Sequence, residues 1–262
     1  MTELERHVRR YPEMAGKLAL VTGGTSGIGL ATAQAFAREG AVVVLASRSE
    51  ERAQTAIQTF PDGSAVSWVA CDTADGKSVV KLLELIQERH GRLDYAFNNA
   101  GSGAGGGPVA TMSEFVWRAS INGFLTSVFL CMRYQIPLML AGGGGVIVNN
   151  SSVDGLRGYP FPGGAAYAAA KHGVLGLTKS AALEHASSGL RITAVCPGWV
   201  ATPAVTSWME SDPSVAAGIL QQTPRGRIAS PDEIANAVVW LCSDGASFVI
   251  GSPLVVDGGY MA

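Results

Sequence analysis

Tyr167 and Lys171 stand four residues apart in a run of alanines, shortly after the hydroxyl pair Ser151 and Ser152. In a helix that spacing puts a phenol and an ammonium on one face, one turn apart. A free tyrosine has a pKa of about 10 and is a poor acid–base catalyst near neutrality. A cation held beside it favours the phenolate and lowers that value by roughly 1–3 units. The pair therefore predicts a proton donor or acceptor matched to a reacting oxygen.

A second group of residues points to a ligand. Thr22-Gly23-Gly24-Thr25-Ser26-Gly27-Ile28-Gly29 joins the apolar run Leu18–Thr22 to a segment with helical spacing over 28–38. Glycines let such a turn bend tightly, approach a pyrophosphate and pack the helix on the sheet, while the helix N-terminus attracts phosphate charge. The spacing Gly-x3-Gly-x-Gly thus predicts dinucleotide binding. No acidic residue stands about 20 residues on to grip a ribose 2′-hydroxyl. The second strand ends instead in Ala46-Ser47-Arg48-Ser49, and an arginine with two hydroxyls suits a 2′-phosphate. This favours NADP(H); NAD(H) is the alternative if Arg48 is only a solvated strand-end charge. Asp72, after the third strand, is either an acceptor for adenine or a plain turn aspartate.

Strands and helices in alternation are needed to hold these residues. Apolar, β-branched runs predict strands at 18–22, 41–46, 66–70, 93–97, 146–149, 190–195 and 254–256. Helices are predicted over 28–38, 50–59, 77–90, 113–140, 165–186 and 231–243. Thr111-x-x-Glu114 reads as a capping box for the fourth, and Ser230-Pro231-Asp232-Glu233 opens the last with a capping serine, a proline and a glutamate. The strands lack polar alternation, so the expected fold is α/β. It is a single-domain, doubly wound, Rossmann-type parallel sheet of about seven strands with helices on both faces. Residues 1–15 read as an N-terminal arm and 16–262 as one dinucleotide-binding catalytic domain. Two irregular segments follow strand ends, where open α/β sheets bind ligands: the glycine-rich 101–107 and a lid at about 201–224.

Composition removes other classes. Hydrophobic residues make up 47% and charged ones 15%, with a net charge of −2, which supports a large core and argues against nucleic acid. The basic cluster Arg6, His7, Arg9 and Arg10 is interrupted by Glu3, Glu5 and Glu13, as in a solvated arm. Cys71, Cys131, Cys196 and Cys242 form no Cys-x-x-Cys pair and the four histidines are scattered, so no metal site is expected. The charged N-terminus does not resemble a signal peptide, and the apolar stretch 124–132 is too short to cross a bilayer. A cytoplasmic protein without a membrane partner is expected.

These motifs, in this order over residues 16–260, resemble the short-chain dehydrogenase/reductase family in its single-domain form. The glycine turn is similar to that family's Thr-Gly-x3-Gly-x-Gly. Asn98-Asn99-Ala100-Gly101 resembles its Asn-Asn-Ala-Gly motif, and Val256-Asp257-Gly258-Gly259-Tyr260 its C-terminus. Asn122, Ser152, Tyr167 and Lys171 match the catalytic set.

The resemblance implies hydride transfer between NADP(H) and a ketone or secondary alcohol. Tyr167 would move the proton, Lys171 lower its pKa and hold the nicotinamide ribose, and Ser152 bind the substrate oxygen. Asn122 would position Lys171 and a relay water. Gly23, Thr25, Ser26, Gly27, Ile28 and Gly29, then Ser47, Arg48, Ser49 and Asp72, would hold the cofactor. Asn99, Ala100 and Gly101, with Pro197, Gly198, Val200 and Thr202, would complete its site beside Tyr167 and Lys171.

Two more residues than the commonest family spacing separate Ser152 from Tyr167, which adds Tyr159 and Phe161 to a substrate wall with Trp199, Val205, Trp208 and Met209. That wall suits a mid-sized, largely apolar substrate. Asp154 either meets a polar substrate group or faces solvent, and Arg157 and Arg225 are expected at the surface. Ser26 stands where some NADPH-preferring members carry a basic residue. A homotetramer is implied, paired through the helices at 165–186 and 231–243. Competing readings are a catalytically silent nucleotide sensor of the same fold, an enoyl reductase and a sugar-nucleotide epimerase.

Overall fold

A computed structural model describes residues 10–160 and 163–262. The seven apolar runs are strands: β1 (Leu18–Thr22), β2 (Val42–Ser47), β3 (Val66–Ala70), β4 (Tyr95–Asn98), β5 (Gly145–Asn150), β6 (Leu190–Pro197) and β7 (Pro253–Val256). All pair in parallel, in the order β3-β2-β1-β4-β5-β6-β7. The order reverses between β1 and β4, so their C-terminal ends open a crevice at the switch point. The glycine turn leaves β1 there and the glycine-rich loop leaves β4.

Helices on both faces explain why the strands are apolar throughout. On one face α1 (Gly27–Arg38) and α9 (Pro231–Cys242) pack together over Val21, Leu45, Phe97 and Val148, with Phe36 and Val238 fully buried between them. On the other, α3 (Gly76–His90), α5 (Ser127–Ala141) and α6 (Ala165–His185) cover Leu20, Val44, Ala96, Ile147 and Ile192. The remaining helices are α2 (Glu50–Ile57), α4 (Glu114–Ile121), α7 (Pro203–Ser211) and α8 (Pro213–Gln221). Within the stretch expected to be an arm, residues 12–14 form a short turn whose Met14 is fully buried, and the Tyr11 N–H donates to Glu39.

Two local expectations need correction. Ser113, not Thr111, caps α4: its hydroxyl accepts from the Val116 N–H, while Thr111 closes a separate 3₁₀ turn. The capping box at Ser230 and Glu233 forms as expected. The long helix is continuous but not uniformly α: α4 passes through a π-helical turn, Asn122–Thr126, into α5. The run Glu114–Ala141 is 28 residues and contains an 18-residue window with a mean hydropathy of 1.4, so it is long and apolar enough to span a bilayer by length and composition. Its packing is that of a layer helix, with α5 against α3 and the sheet and α4 against α6. Gln135 of α5 is fully buried and exchanges hydrogen bonds with Asn98 of β4, which reaches Asn149 of β5 and, through it, Thr178 of α6. A helix tied to the sheet by buried amides belongs to a core.

Candidate functional site

β5 ends at Asn150 and hands Ser151 and Ser152 to the edge of the crevice, while α6 runs beneath it and presents Tyr167. Together they wall a cavity of about 690 Å³ with Phe124, Trp199 and Trp208. Lys171 lies one turn below Tyr167, only 6% exposed, and its ammonium donates to the Asn150 carbonyl at 2.7 Å. Burial holds it down at about 8. Tyr167 is shifted the other way: burial raises its pKa, partly offset by the neighbouring Ser152 hydroxyl. The expected lowering by Lys171 is therefore absent here, because the ammonium lies 5.5 Å from the centre of the Tyr167 ring and is committed to Asn150. The phenol keeps its proton at neutral pH and is placed to donate it.

The two serines separate clearly. Ser151 donates to the Lys171 carbonyl at 3.0 Å, which fixes β5 to α6. Ser152 is the hydroxyl beside Tyr167, and it donates to Asp154 Oδ2 at 3.1 Å. Asp154 lines the same cavity and is 7% exposed, so it does not face solvent.

Asn122 is not in the site. It lies exposed, on the stripe Glu114–Arg118–Asn122 whose first two members pair as ions, and it lines neither cavity. The place facing Tyr167 and Lys171 belongs to Phe124, two residues on within the π turn. Its ring meets Tyr167 edge-on, with centroids 5.0 Å apart at 89°, and the Lys171 ammonium is 5.5 Å from its centre. Gly101 makes room for it, since a Cβ there would lie 2.6 Å from the Phe124 ring. The i, i+4 charge pattern marks Asn122 as solvent-facing in the sequence itself; nothing in the sequence marks Phe124 as its replacement.

The glycine turn builds the cofactor groove. Gly27 opens α1 at φ +51°, and a side chain on Gly29 would collide with the Gly23 carbonyl, so backbone amides at this helix start stay uncovered. A second cavity of about 190 Å³ runs from Gly23, Thr25 and Ser26 past Ser47, Arg48 and Ser49 to Asp72, with Ala100 and Gly101 opposite. Arg52 joins Arg48 there and was missed in sequence; it lies one helical turn after Arg48, behind Ser49, whose hydroxyl caps α2. The Ser47 hydroxyl accepts from the Trp68 indole at 2.9 Å, and Asp72 accepts from its own turn at Ala74. Ile28, Pro197, Gly198, Val200 and Thr202 line the larger cavity, and Thr202 packs over Gly27. Asn99 does a different job: its amide donates to the Thr22 and Gly23 carbonyls and accepts from Asn150, clasping three strand ends. Asn150 itself lines the larger cavity and has a buried side-chain oxygen without a hydrogen-bond partner among the described residues. An anionic dinucleotide fits this cradle of glycines, helix terminus, paired arginines and orphaned amide oxygen.

Of the expected substrate wall, Tyr159, Trp199, Val205 and Trp208 line the larger cavity. Tyr159 stands edge-on to Tyr167 at 6.0 Å, and Trp199 lies 5.9 Å from Trp208. Met209 does not line it, because it sits a further 100° round α7 from Trp208. Phe161 lies outside the described residues. The segment expected as a lid forms two short helices, α7 and α8, each opened by a capping residue and a proline: Thr202-Pro203 and Asp212-Pro213. Tyr260, unforeseen as a wall residue, enters from the C-terminus with the Arg157 guanidinium 5.0 Å above its ring.

Comparison with known proteins bears on this geometry. A family profile described as enoyl-(acyl carrier protein) reductase matches residues 23–261. The chain is 42% identical to an A-factor type γ-butyrolactone 1′-reductase (1S-forming) of Streptomyces virginiae, over 94% of this chain and 96% of the relative. It is 40% identical to a cyclohexanol dehydrogenase of Acinetobacter sp. (strain SE19), over 93% and 94% respectively. The crystal structure of a levodione reductase superposes with a TM-score of 0.89 at 35% identity, covering 95% of this chain and 99% of that one.

Proposed function

The chain belongs to the short-chain dehydrogenase/reductase family, and from that premise we propose that it is an NADP(H)-dependent oxidoreductase of mid-sized, largely apolar cyclic ketones and their secondary alcohols. Oxidoreduction between CH–OH and C=O is the reaction class of the family members it matches. The observation that carries the reading is the meeting of a protonated Tyr167, with the Ser152 hydroxyl on the same wall, with an aromatic cavity that opens beside the glycine turn.

In reduction the substrate carbonyl lies at Tyr167 and Ser152. The Tyr167 hydroxyl gives its proton to the oxygen as negative charge develops there, and Ser152 donates a hydrogen bond to the same atom. The raised phenol pKa suits this direction, because the proton stays on Tyr167 until a strongly basic oxygen forms. A bound nicotinamide supplies or accepts the hydride. Lys171 fixes the end of β5 through the Asn150 carbonyl and sets a positive charge below the ring. Trp199, Trp208, Tyr159 and Phe124 exclude water and favour apolar rings; the names of the cyclohexanol dehydrogenase and the levodione reductase support cyclic ones.

NADP(H) rather than NAD(H) rests on Arg48 and Arg52, two cations that line the groove beside Ser47 and Ser49. Steady-state kinetics with each cofactor test this. Arg48→Ala is expected to raise the KM for NADPH at least about tenfold, the worth of one charge-assisted contact, and to leave NADH unchanged. A wild-type preference for NADH would remove the 2′-phosphate reading and leave the reductase.

A homotetramer is supported by large apolar side chains left at the surface, among them Phe115, Trp117, Phe129 and Leu183. Of the small residues of α9, Ala235 is buried in the core against α1 of the same chain, while Ala237 is partly exposed. Light scattering in solution tests it, and a monomeric mass would exclude it. A cytoplasmic location is supported by four buried free thiols and tested by cell fractionation. The silent-sensor alternative requires tight NADPH binding without turnover of any ketone.

A further inference from the structure

A serine hydroxyl has one proton, and in this structure Ser152 directs it to Asp154 Oδ2 rather than into the cavity. The Asp154 N–H meanwhile donates to Ser152 Oγ at 3.0 Å, so the two residues form a closed pair on the short turn Val153–Gly155. Asp154 is buried, and its Oδ1 has no hydrogen-bond partner among the described residues. Full ionisation would leave a charged oxygen unsatisfied in a cavity wall, a costly state. A protonated carboxyl has a donor of its own, which an ionised one lacks.

We propose that Asp154 is a positioning residue that decides which acceptor receives the single proton of Ser152. As a carboxylate it draws the serine hydroxyl to itself and away from the substrate oxygen. As a carboxylic acid it donates to Ser152 Oγ, and the serine proton turns to the oxygen on which charge develops. The proposal rests on the reading that Ser152 serves that oxygen. The two arrangements differ by one proton, which Asp154 takes up from or releases to solvent; within each, the hydroxyl and carboxyl only reorient. Reduction and oxidation share one transition state, so the protonated form of Asp154 is the active one in both directions.

The surroundings bias the pair toward this form. Burial raises the Asp154 pKa, and the opposing pulls of Ser152, Arg157, His172 and Lys171 are each smaller. Tyr167 and Lys171 face it from α6, as does His172, whose ring contacts the Ala168 carbonyl. Tyr159 and Tyr260 face it across the cavity, and Arg157 from its own loop. Any limb contributed by Asp154 must therefore be separated from Lys171 and His172 by substitution at Asp154 itself.

The test is kcat and KM for ketone reduction against pH in the wild type, Asp154→Asn and Asp154→Ala. Wild-type kcat should fall as pH rises through the Asp154 titration. Asp154→Asn, neutral at every pH and able to donate to Ser152, should lose that limb and retain far more of the low-pH kcat than Asp154→Ala does. Asp154→Ala should lose roughly 100-fold in kcat with little change in KM, the loss of one donor to a developing oxyanion. Superimposable profiles for wild type and Asp154→Asn, or equal damage in both variants, would overturn the proposal. Infrared difference spectra supply a readout independent of turnover. A carboxylic-acid band present in wild type near neutrality and missing in Asp154→Asn is expected, and its absence from the wild type would also overturn it. A wild type that turns over no ketone yet shows the band would instead sink the reductase reading.

Discussion

Lys171 is an ammonium placed where charge is poorly solvated, and the fold bears the consequence. Its folded-state pKa is about 8, while the unfolded chain titrates near 10.4, so between these values the unfolded chain binds more protons. Stability therefore rises with pH across that window, and the full penalty applies below about 8. Lys171→Met should stabilise the protein at pH 7 by about 2 kcal/mol while abolishing turnover, a trade of stability against activity. The gain should shrink as pH rises from about 8 to about 10.4; chemical denaturation at pH 7 and pH 10 measures it. A destabilised Lys171→Met at pH 7 would mean that the hydrogen bond to Asn150 outweighs the burial. The spacing of Tyr167 and Lys171 was legible because a helix repeats locally. Asn122 matches the motif by residue type, yet its place on the stripe with Glu114 and Arg118 leaves it exposed. Phe124 and the Ser152–Asp154 pair could not be read, since both depend on contacts between separate elements.

At the level of elements, what is local was readable. Continuous apolar runs marked all seven strands because both faces of the sheet are covered, and the capping box at Ser230 and Glu233 formed as its residues dictate. Where two capping hydroxyls compete, as at Thr111 and Ser113, the sequence alone does not choose; helix phase puts the start after Ser113. The π turn Asn122–Thr126 was invisible because a single wider turn leaves no periodic trace. Its effect is large, since it sets which residue of the helix meets Tyr167. The lid helices did carry signals, Thr202-Pro203 and Asp212-Pro213, each a capping residue followed by a proline at the first helical position. The amide chain Asn98–Gln135, Asn98–Asn149 and Asn149–Thr178 joins four elements distant in sequence, so no local pattern announces it.

Across the whole molecule, the reversal of strand order between β1 and β4 brings three remote stretches to one crevice: the glycine turn, the serines after β5 and the segment after β6. Hydride and proton transfer to one carbonyl require such convergence. The parallel sheet supplies it by presenting all its strand ends in one direction. Tyr167 is the point at which the cavity, the helix and the chemistry coincide. The decisive measurement is ketone-dependent oxidation of NADPH with a panel of cyclic ketones, comparing wild type with Tyr167→Phe. Turnover by the wild type, with kcat reduced by about 10²–10⁴-fold in the variant, is the expected result. A variant that reduces ketones at the wild-type rate, or a wild type that reduces only the C=C bond of enones, would contradict it.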